Sequence, residues 1–261
     1  MTPDEATVKR EQVLCDGYCV IDDVLSSEFL QELRVEADRL MEHHVMADEF
    51  RYQGQHVVTQ GQDNEVIQRL LDWPASFKVL NELGFGDFES NGGIIILTKD
   101  PGEPPLYWHQ DWMKWNDPFS CSPWPQIMFL SYYLSDTTIE NGCLKVIPGS
   151  HLRRHELHDQ LVPAHEQGAR FIDEDHPVMF SDHSDQVEVK VKAGSLTLAD
   201  ARLLHSAHRN LTDVQRTLIL AWHQRPMTIP DNWDGQIPDV IVNRERNAEY
   251  EGSRIPGELL K

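Results

Sequence analysis

The chain has 261 residues and a formal net charge of −20, with 23 Lys and Arg against 43 Asp and Glu. Its length suffices for one large domain with a full core, and its acidity argues against partners such as nucleic acid or an anionic membrane, which bind through Lys and Arg. No apolar run approaches the roughly 18 residues that span a bilayer, and the first residues lack the apolar core of a signal peptide. We therefore expect a cytoplasmic protein.

The first part of the chain has helical patterns after a short strand. A strand is predicted at 18–21, and a helix that Ser26 or Ser27 caps follows it. Two shorter helices are predicted at 65–72 and 75–83. The apolar residues of the first helix recur at helical spacing: Phe29, Leu30, Leu33, Ala37, Leu40 and Met41.

From residue 92 onward the pattern changes to short runs of branched and aromatic residues between Gly and Pro turns, which is typical of strands. The runs are 92–99, 127–134, 143–147, 187–192, 195–198, 202–205 and 216–223. Many short strands of this kind predict a sandwich or jelly roll, with the N-terminal helices covering one side. We expect one α+β domain over 1–261, in which the polar stretch 226–261 is a C-terminal extension that serves as a lid or an arm.

Thirteen histidines suggest a metal site, but a His two residues before an Asp is expected about once by chance in this composition. Two such pairs occur. His109 and Asp111 follow an apolar strand within an aromatic cluster, and side chains two apart on an extended segment point the same way. His183 and Asp185 lie in a polar stretch that is typical of a solvated loop. Context therefore favours the first pair.

A metal site needs a third ligand, and the best candidate is His205, which ends the predicted strand SLTLADARLLH. Two His and one carboxylate with open positions form the facial arrangement of non-haem Fe(II) oxygenases. The alternative is a hydrogen-bonded histidine at a strand end. His208 is a rival, although residues three apart on a strand face opposite ways. Arg216 opens the next strand and is suited to bind a carboxylate through two parallel hydrogen bonds, unless it is a surface charge.

The order of these motifs resembles the phytanoyl-CoA dioxygenase family of Fe(II)- and 2-oxoglutarate-dependent oxygenases, a group that also includes ectoine hydroxylase. The resemblance rests on ILTKDPG before HQD, then on ENGCLKVIPGSH and LLHSAHRNLTDVQRT. The opening DGYCVIDDVLSSEFLQELRVEADRL is similar to the N-terminal strand and helix of the family. The likeness extends from about Asp16 to Arg225, and it implies a double-stranded β-helix, cupin-like core.

The resemblance implies a function for the candidate residues. His109, Asp111 and His205 become the iron ligands, and Arg216 binds the distal carboxylate of the cosubstrate 2-oxoglutarate. With O2, this site would hydroxylate an unactivated C–H bond and release succinate and CO2, although some relatives desaturate, cyclise or epimerise. Because Asp111 is not a glycine, the resemblance argues against a halogenase.

Further cofactor contacts follow from the same resemblance. Gln60 falls where family members have a polar or basic cosubstrate contact, and Ile95 and Leu130 are expected to line the pocket. The family often has a serine two residues after the distal His, where it bonds the cosubstrate carboxylate. Here that position is Ala207, which departs from the pattern.

The sequence describes the substrate less specifically. Tyr107, Trp112 and Trp115 flank the metal pair and are candidates for the substrate pocket, although aromatic residues beside a strand more often belong to the core. An acyl-CoA would bring several negative charges to an acidic protein, so we expect a small molecule or natural-product intermediate. We expect a monomer or homodimer.

Two alternatives stay open: a jelly-roll or cupin-like module that binds a metal or ligand without oxygenase activity, and a zinc hydrolase. The hydrolase would need a general base and gives no reason for Arg216. Convergence of Arg216 and the three candidate ligands on one pocket is the feature that discriminates between the oxygenase and the binding module.

Overall fold

The structure is a computed structural model that describes residues 1–42, 44, 54–112, 122–161 and 175–226. Its helices are α1 (Pro3–Asp16), α2 (Ser27–Met41), α3 (Glu65–Leu71), α4 (Pro74–Glu82) and α5 (Leu157–Gln160). Its strands are β1 (Tyr18–Ile21), β2 (Gln55–Gln60), β3 (Glu89–Lys99), β4 (Leu106–His109), β5 (Ile127–Tyr133), β6 (Leu144–Val146), β7 (Val187–Val189), β8 (Leu196–Asp200), β9 (His205–Ala207) and β10 (Arg216–Gln224).

The strands form two antiparallel sheets. The larger has the order β1-β8-β5-β10-β3-β2, and the smaller has the order β4-β9-β6-β7. Apolar side chains of both sheets pack together between them, including Phe129, Leu218 and Val146. A second core lies between the larger sheet and the helices. Two facing antiparallel sheets with helices on one outer face confirm the predicted α+β jelly roll.

Helix α2 covers the larger sheet as its sequence predicts. The hydroxyl of Ser26 accepts a hydrogen bond from the Phe29 N–H and caps the helix, which satisfies one of its free amide groups. Phe29, Leu33 and Ala37 are buried at four-residue spacing against the sheet. The predicted helices at 65–72 and 75–83 correspond to α3 and α4.

Helix α1 was not predicted, because only Ala6 and Val13 are buried along its length. A capping box begins it: the Thr2 hydroxyl accepts a hydrogen bond from the Glu5 N–H, and the Glu5 carboxylate accepts one from the Thr2 N–H. Pro3 occupies the first helical turn, where its missing N–H costs nothing. The signal for this helix was therefore in its start and not in its periodicity.

The predicted strand that ends at His205 is wrong. Strand β8 stops at Asp200, the chain turns through 201–204, and His205 begins β9. An Asp200 carboxylate oxygen accepts a hydrogen bond from the Arg202 N–H at 2.9 Å, and this local bond competes with continued strand pairing. His205 consequently belongs to the smaller sheet and faces the larger one across the interior.

Side chains alternate between the two cores along the central strands. On β5, Phe129 and Tyr133 face the smaller sheet, whereas Leu130 and Tyr132 face the helices. The predicted cavity position of Leu130 is therefore wrong: its side chain packs in the helix-facing core. Because both faces of β5 are apolar, the sequence pattern does not distinguish them.

None of the helices in the described ranges is long and apolar enough to cross a membrane. The predicted C-terminal extension, 226–261, lies outside the described residues except for its first residue. Its function as a lid or an arm stays a prediction.

Candidate active site

Strands β4 and β9 pair side by side and bring two distant histidines together. His109 is opposite His205 in the register, and their ring centroids lie 4.1 Å apart. The Asp111 carboxylate lies 3.7 Å from His109 Nε2 and 4.0 Å from His205 Nε2. The ligand-type atoms of all three residues lie within 4.8 Å of one another, and the two histidines are buried. This spacing matches a two-histidine, one-carboxylate metal centre.

The protonation of the two rings suits a metal. Nδ1 of His109 lies 2.9 Å from the Tyr107 carbonyl oxygen, and Nδ1 of His205 lies 2.9 Å from that of Leu203. A carbonyl oxygen only accepts hydrogen bonds, so each Nδ1 carries the proton and donates it. Each Nε2 then presents a lone pair toward the Asp111 carboxylate. Metal-binding histidines in proteins are oriented in the same way.

Asp111 reaches this centre by a route that differs from the prediction. Strand β4 ends at His109, so the two residues do not share one extended strand. Instead, the N–H groups of Asp111 and Trp112 both donate to the Ala201 carbonyl at 2.9 Å. This carbonyl, in the turn after β8, fixes the direction of the segment that carries the carboxylate.

Arg216 lies at the first residue of β10 with a buried side chain. One guanidinium nitrogen donates to the Gly142 carbonyl at 3.1 Å, while Nε has no hydrogen-bond partner. Among the described residues, no carboxylate lies within ion-pair distance of this cation. Burial lowers the pKa of Arg216, and the nearby Tyr133 and Cys143 side chains act in the opposite direction. A buried arginine with unused donors is suited to an external carboxylate.

One cavity of about 210 Å³ contains both features. Its lining includes His109, Asp111 and His205, together with Arg216. Along β10, every second side chain from Arg216 faces it. These side chains are Arg216, Leu218, Leu220 and Trp222. The three candidate ligands and the arginine therefore converge on one pocket, as an oxygenase requires.

The arginine end of the cavity contains a second buried cation that sequence analysis missed. Lys99 is opposite Arg216 in the β3–β10 register, and burial lowers its pKa well below the usual value. Its ammonium donates to the carbonyl oxygens of Pro104 and His208 at 2.8 Å each. These bonds hold the Lys99 side chain against the cavity wall beside Arg216.

Two of the other predicted cofactor contacts line the cavity. Ile95 lies on its wall on β3, and Ala207 lies two residues past His205 on β9. Hydroxyl-bearing residues that line this cavity include Ser131 and Tyr133 on the facing sheet. Strand β2 contributes His56 to the lining.

Gln60 does not line this cavity, contrary to its predicted position as a cosubstrate contact. It pairs with Gly93 at the end of β2, and its side chain is exposed. On β10, Trp222 is opposite Phe129, whose ring lies 5.1 Å from that of His205. Six residues of strand, about 20 Å, separate Trp222 from Arg216.

Gly93 leaves room for the Gln60 side chain because it has no side chain of its own. A side chain at Gly93 would place its Cβ 2.9 Å from the Gln60 amide nitrogen. The Gln60 carboxamide therefore lies over bare backbone.

The predicted substrate contacts separate in the structure. Tyr107 lines the cavity, and its ring lies 5.1 Å from the His109 ring in an edge-to-face arrangement. Trp112 is buried and is not part of the lining. Trp115 lies outside the described residues. Trp222, which was recognised only as part of a strand, lines the cavity opposite Phe129.

The second His-x-Asp pair joins a cluster on the surface. The ligand-type atoms of His155, His183 and Asp185 lie within 4.8 Å of one another. However, Nδ1 of His155 accepts the Leu157 N–H at 3.2 Å, and Nδ1 of His183 accepts the Asp185 N–H at 3.0 Å. In the neutral rings Nε2 therefore carries the proton and donates to carboxylates. The cluster has the geometry of a metal site but the opposite tautomers.

His208 does not belong to the metal group. Its ring is half-buried and lies 3.7 Å from the Glu188 carboxylate. It therefore faces away from His205, as the strand alternation predicts.

Comparison with known proteins supports the geometry. The sequence model of the phytanoyl-CoA dioxygenase (PhyH) family matches residues 13–218. An ectoine dioxygenase of Sphingopyxis alaskensis is 26% identical over 220 residues, which cover 77% of this chain and 70% of that protein. Phytanoyl-CoA dioxygenase 1 of Oryza sativa is 35% identical over 112 residues, which cover 41% of this chain and 34% of that protein.

Solved structures show the same fold. The non-heme epimerase SnoN from nogalamycin biosynthesis, in complex with Fe3+, alpha ketoglutarate and nogalamycin RO, matches with a TM-score of 0.63 and 23% identity. The match covers 91% of this chain and 93% of that chain. EctD from S. alaskensis with bound Fe matches with a TM-score of 0.59 and 22% identity, over 83% of this chain and 75% of that chain.

Proposed function

The chain belongs to the phytanoyl-CoA dioxygenase family, and from this premise we propose that it hydroxylates an unactivated C–H bond of a small, largely apolar molecule. The protein is an Fe(II)- and 2-oxoglutarate-dependent dioxygenase. Iron with 2-oxoglutarate and O2 supplies the oxidising power for this reaction, and succinate and CO2 are the co-products. The individual site residues and the substrate are our assignments.

The observation that carries the proposal is the shared cavity of three metal-ligand side chains and one buried arginine. His109 and His205 offer Nε2 lone pairs, and Asp111 supplies a negative charge that offsets part of the charge of a divalent ion. This donor set of nitrogen and oxygen fits Fe(II), and it leaves open positions for other ligands.

Arg216 fits the distal carboxylate of 2-oxoglutarate. Its free Nε donor and its lack of a carboxylate partner within the described residues support this assignment. Tyr133 lines the same pocket, in which Ala207 offers no hydrogen-bonding side chain. Leu218 and Leu220 lie between the arginine and the metal end, where they exclude water from the bound chain of the cosubstrate.

The metal end of the cavity supports an uncharged substrate. The described charged groups of the cavity already have assignments: Asp111, His109 and His205 to the metal, Arg216 to the cosubstrate, and Lys99 to two carbonyls at the far end. The remaining wall near the metal includes Tyr107, Phe129, Leu220 and Trp222. We assign Trp222 to the substrate as a ring contact.

A cupin-like binding module without oxygenase activity is the weaker candidate. It requires neither a carboxylate-binding arginine nor its alignment with the metal group in one cavity. Three further points stay predictions. They are that the protein is a monomer or homodimer, that it is cytoplasmic, and that it binds neither nucleic acid nor a membrane.

The test is release of succinate when purified protein receives Fe(II), 2-oxoglutarate and air. Candidate substrates are then screened by how far they stimulate that release, with neutral ring compounds compared against acyl-CoA thioesters. We expect slow succinate release without added substrate and faster release with neutral compounds.

Trp222→Ala should raise the KM of a stimulating compound roughly tenfold or more, because a large aromatic contact is lost. The exposed Phe77 provides the control variant Phe77→Ala. Absence of succinate under every condition would overturn the proposal.

A further inference from the structure

A fully buried ion pair lies in the turn between β8 and β9. The guanidinium of Arg202 donates to both carboxylate oxygens of Asp200, at 2.9 Å from Nε and 2.6 Å from a terminal nitrogen. The other terminal nitrogen donates to the Ser122 carbonyl at 2.7 Å. Both side chains are only 1% exposed. Removing two charges from water is costly, and such pairs often stabilise a fold no better than apolar residues do.

Backbone carbonyls next to this ion pair form hydrogen bonds with the segment that contains Asp111. Ala201, between the two charged residues, accepts the N–H groups of Asp111 and Trp112. The Arg202 carbonyl accepts a hydrogen bond from the Gln110 side-chain amide at 2.5 Å. Three consecutive residues, 110–112, are therefore attached to the two carbonyls that follow Asp200.

The same turn also orients His205. The Leu203 N–H donates to the Asp200 carbonyl at 2.9 Å, which closes the turn. The Leu203 carbonyl then receives the Nδ1 proton of His205 and directs its Nε2 inward. Asp111 and His205 come from different parts of the chain, and one four-residue turn sets the direction of both.

We propose that Asp200 and Arg202 are positioning residues of the metal centre, whose paired side chains fix the turn that aims Asp111 and His205. The inference rests on the metal site proposed above. Outer partners that orient metal ligands typically contribute 10- to 100-fold to metal affinity. A rigid pair of parallel hydrogen bonds is suited to this purpose because it fixes an angle as well as a distance.

The test measures metal binding on the full chain, without turnover. Arg202→Lys keeps the charge but loses the planar fork, and the double variant Asp200→Asn with Arg202→Gln removes both charges together, so neither leaves a lone buried ion. Calorimetric titration with Mn(II) should give a Kd at least about tenfold higher in both variants than in the wild type. The visible spectrum of the Co(II)-loaded protein, which reports ligand geometry, should change as well.

Leu33→Ala is the control for lost stability. Leu33 is buried in the core between α2 and the larger sheet, so this variant lowers the melting temperature without touching the turn. Its Mn(II) affinity should equal that of the wild type. Wild-type affinity and an unchanged Co(II) spectrum in both Arg202 variants would overturn the inference while leaving the metal site in place. A wild-type protein that binds no Mn(II) would overturn the site and the inference together.

Discussion

The imidazole rings of His109 and His205 lie 4.1 Å apart, and each directs its Nε2 toward the Asp111 carboxylate. This orientation follows from two backbone carbonyls that take the Nδ1 protons. The surface pair His155 and His183 has the reverse arrangement, in which backbone N–H groups donate to Nδ1. Which ring nitrogen is free distinguishes the two clusters more clearly than the distances between their atoms.

We expect one Fe(II)-class ion per chain. The tautomers of the buried group leave lone pairs for a metal, whereas those of the surface cluster do not. Calorimetric titration of metal-free protein measures the stoichiometry. His205→Ala should abolish tight binding, and the matched His183→Ala should leave it unchanged. Two ions per chain, with one lost in His183→Ala, would contradict the tautomer argument.

Arg216→Leu should weaken 2-oxoglutarate binding. Charge-assisted bonds to a carboxylate contribute about 1.5 to 3 kcal/mol each, so the Kd should rise roughly tenfold or more. The exposed Arg39→Leu, which removes a surface pair with Glu36, is the matched control and should bind normally. The Kd is measured by titration of 2-oxoglutarate into metal-loaded protein. An unchanged Kd in a folded Arg216→Leu protein would show that this arginine does not bind the cosubstrate.

The two copies of the His-x-Asp motif allow a comparison of one substitution at two positions. Asp111→Ala should abolish 2-oxoglutarate turnover coupled to substrate oxidation, because it removes a ligand from the buried metal group. Asp185→Ala should keep activity near wild type, since that carboxylate is largely exposed and lies outside the cavity. The readout is succinate formed per product. Activity that survives in Asp111→Ala but disappears in Asp185→Ala would mean that the wrong pair was assigned.

His223 should make the fold less stable in mild acid. Burial lowers the pKa of this residue to about 4, so it stays neutral in the folded protein where the unfolded chain binds a proton. Stability should therefore fall as the pH drops below about 6.5, and the loss ends near pH 4. Between pH 7.5 and pH 5, protonation of His223 in the unfolded chain should lower the free energy of unfolding by about 2 kcal/mol.

Urea unfolding of the wild type and His223→Met at these two pH values tests the prediction. As the pH falls, the free energy of unfolding of the variant should decrease by about 2 kcal/mol less than that of the wild type, whatever its value at pH 7.5. Other buried histidines such as His158 remain in both proteins, so their contribution cancels. Equal pH dependence in the two proteins would rule out the effect of His223.

The sequence by itself determined the fold class, the family and the residue types of the site. The His109 and Asp111 pair, the distant His205 and the strand-opening Arg216 were recognisable because chemistry restricts which residues can hold a metal and a carboxylate. Helix α2 was predictable from its cap and its spacing. Helix α1 was not predicted, because its polar pattern hid the helix and the capping box at Thr2 was not recognised.

Tertiary structure alone decided which side chains face the cavity. Ile95 faces it and Leu130 does not, yet both lie on strands with apolar residues on both sides, so alternation gave no signal. Strand register placed Gln60 opposite Gly93 and outside the cavity lining, since pairing between β2 and β3 depends on partners far away in sequence. The direction of Asp111 depends on the Ala201 carbonyl, and a hydrogen bond across 90 residues of chain is set only when the two sheets pack.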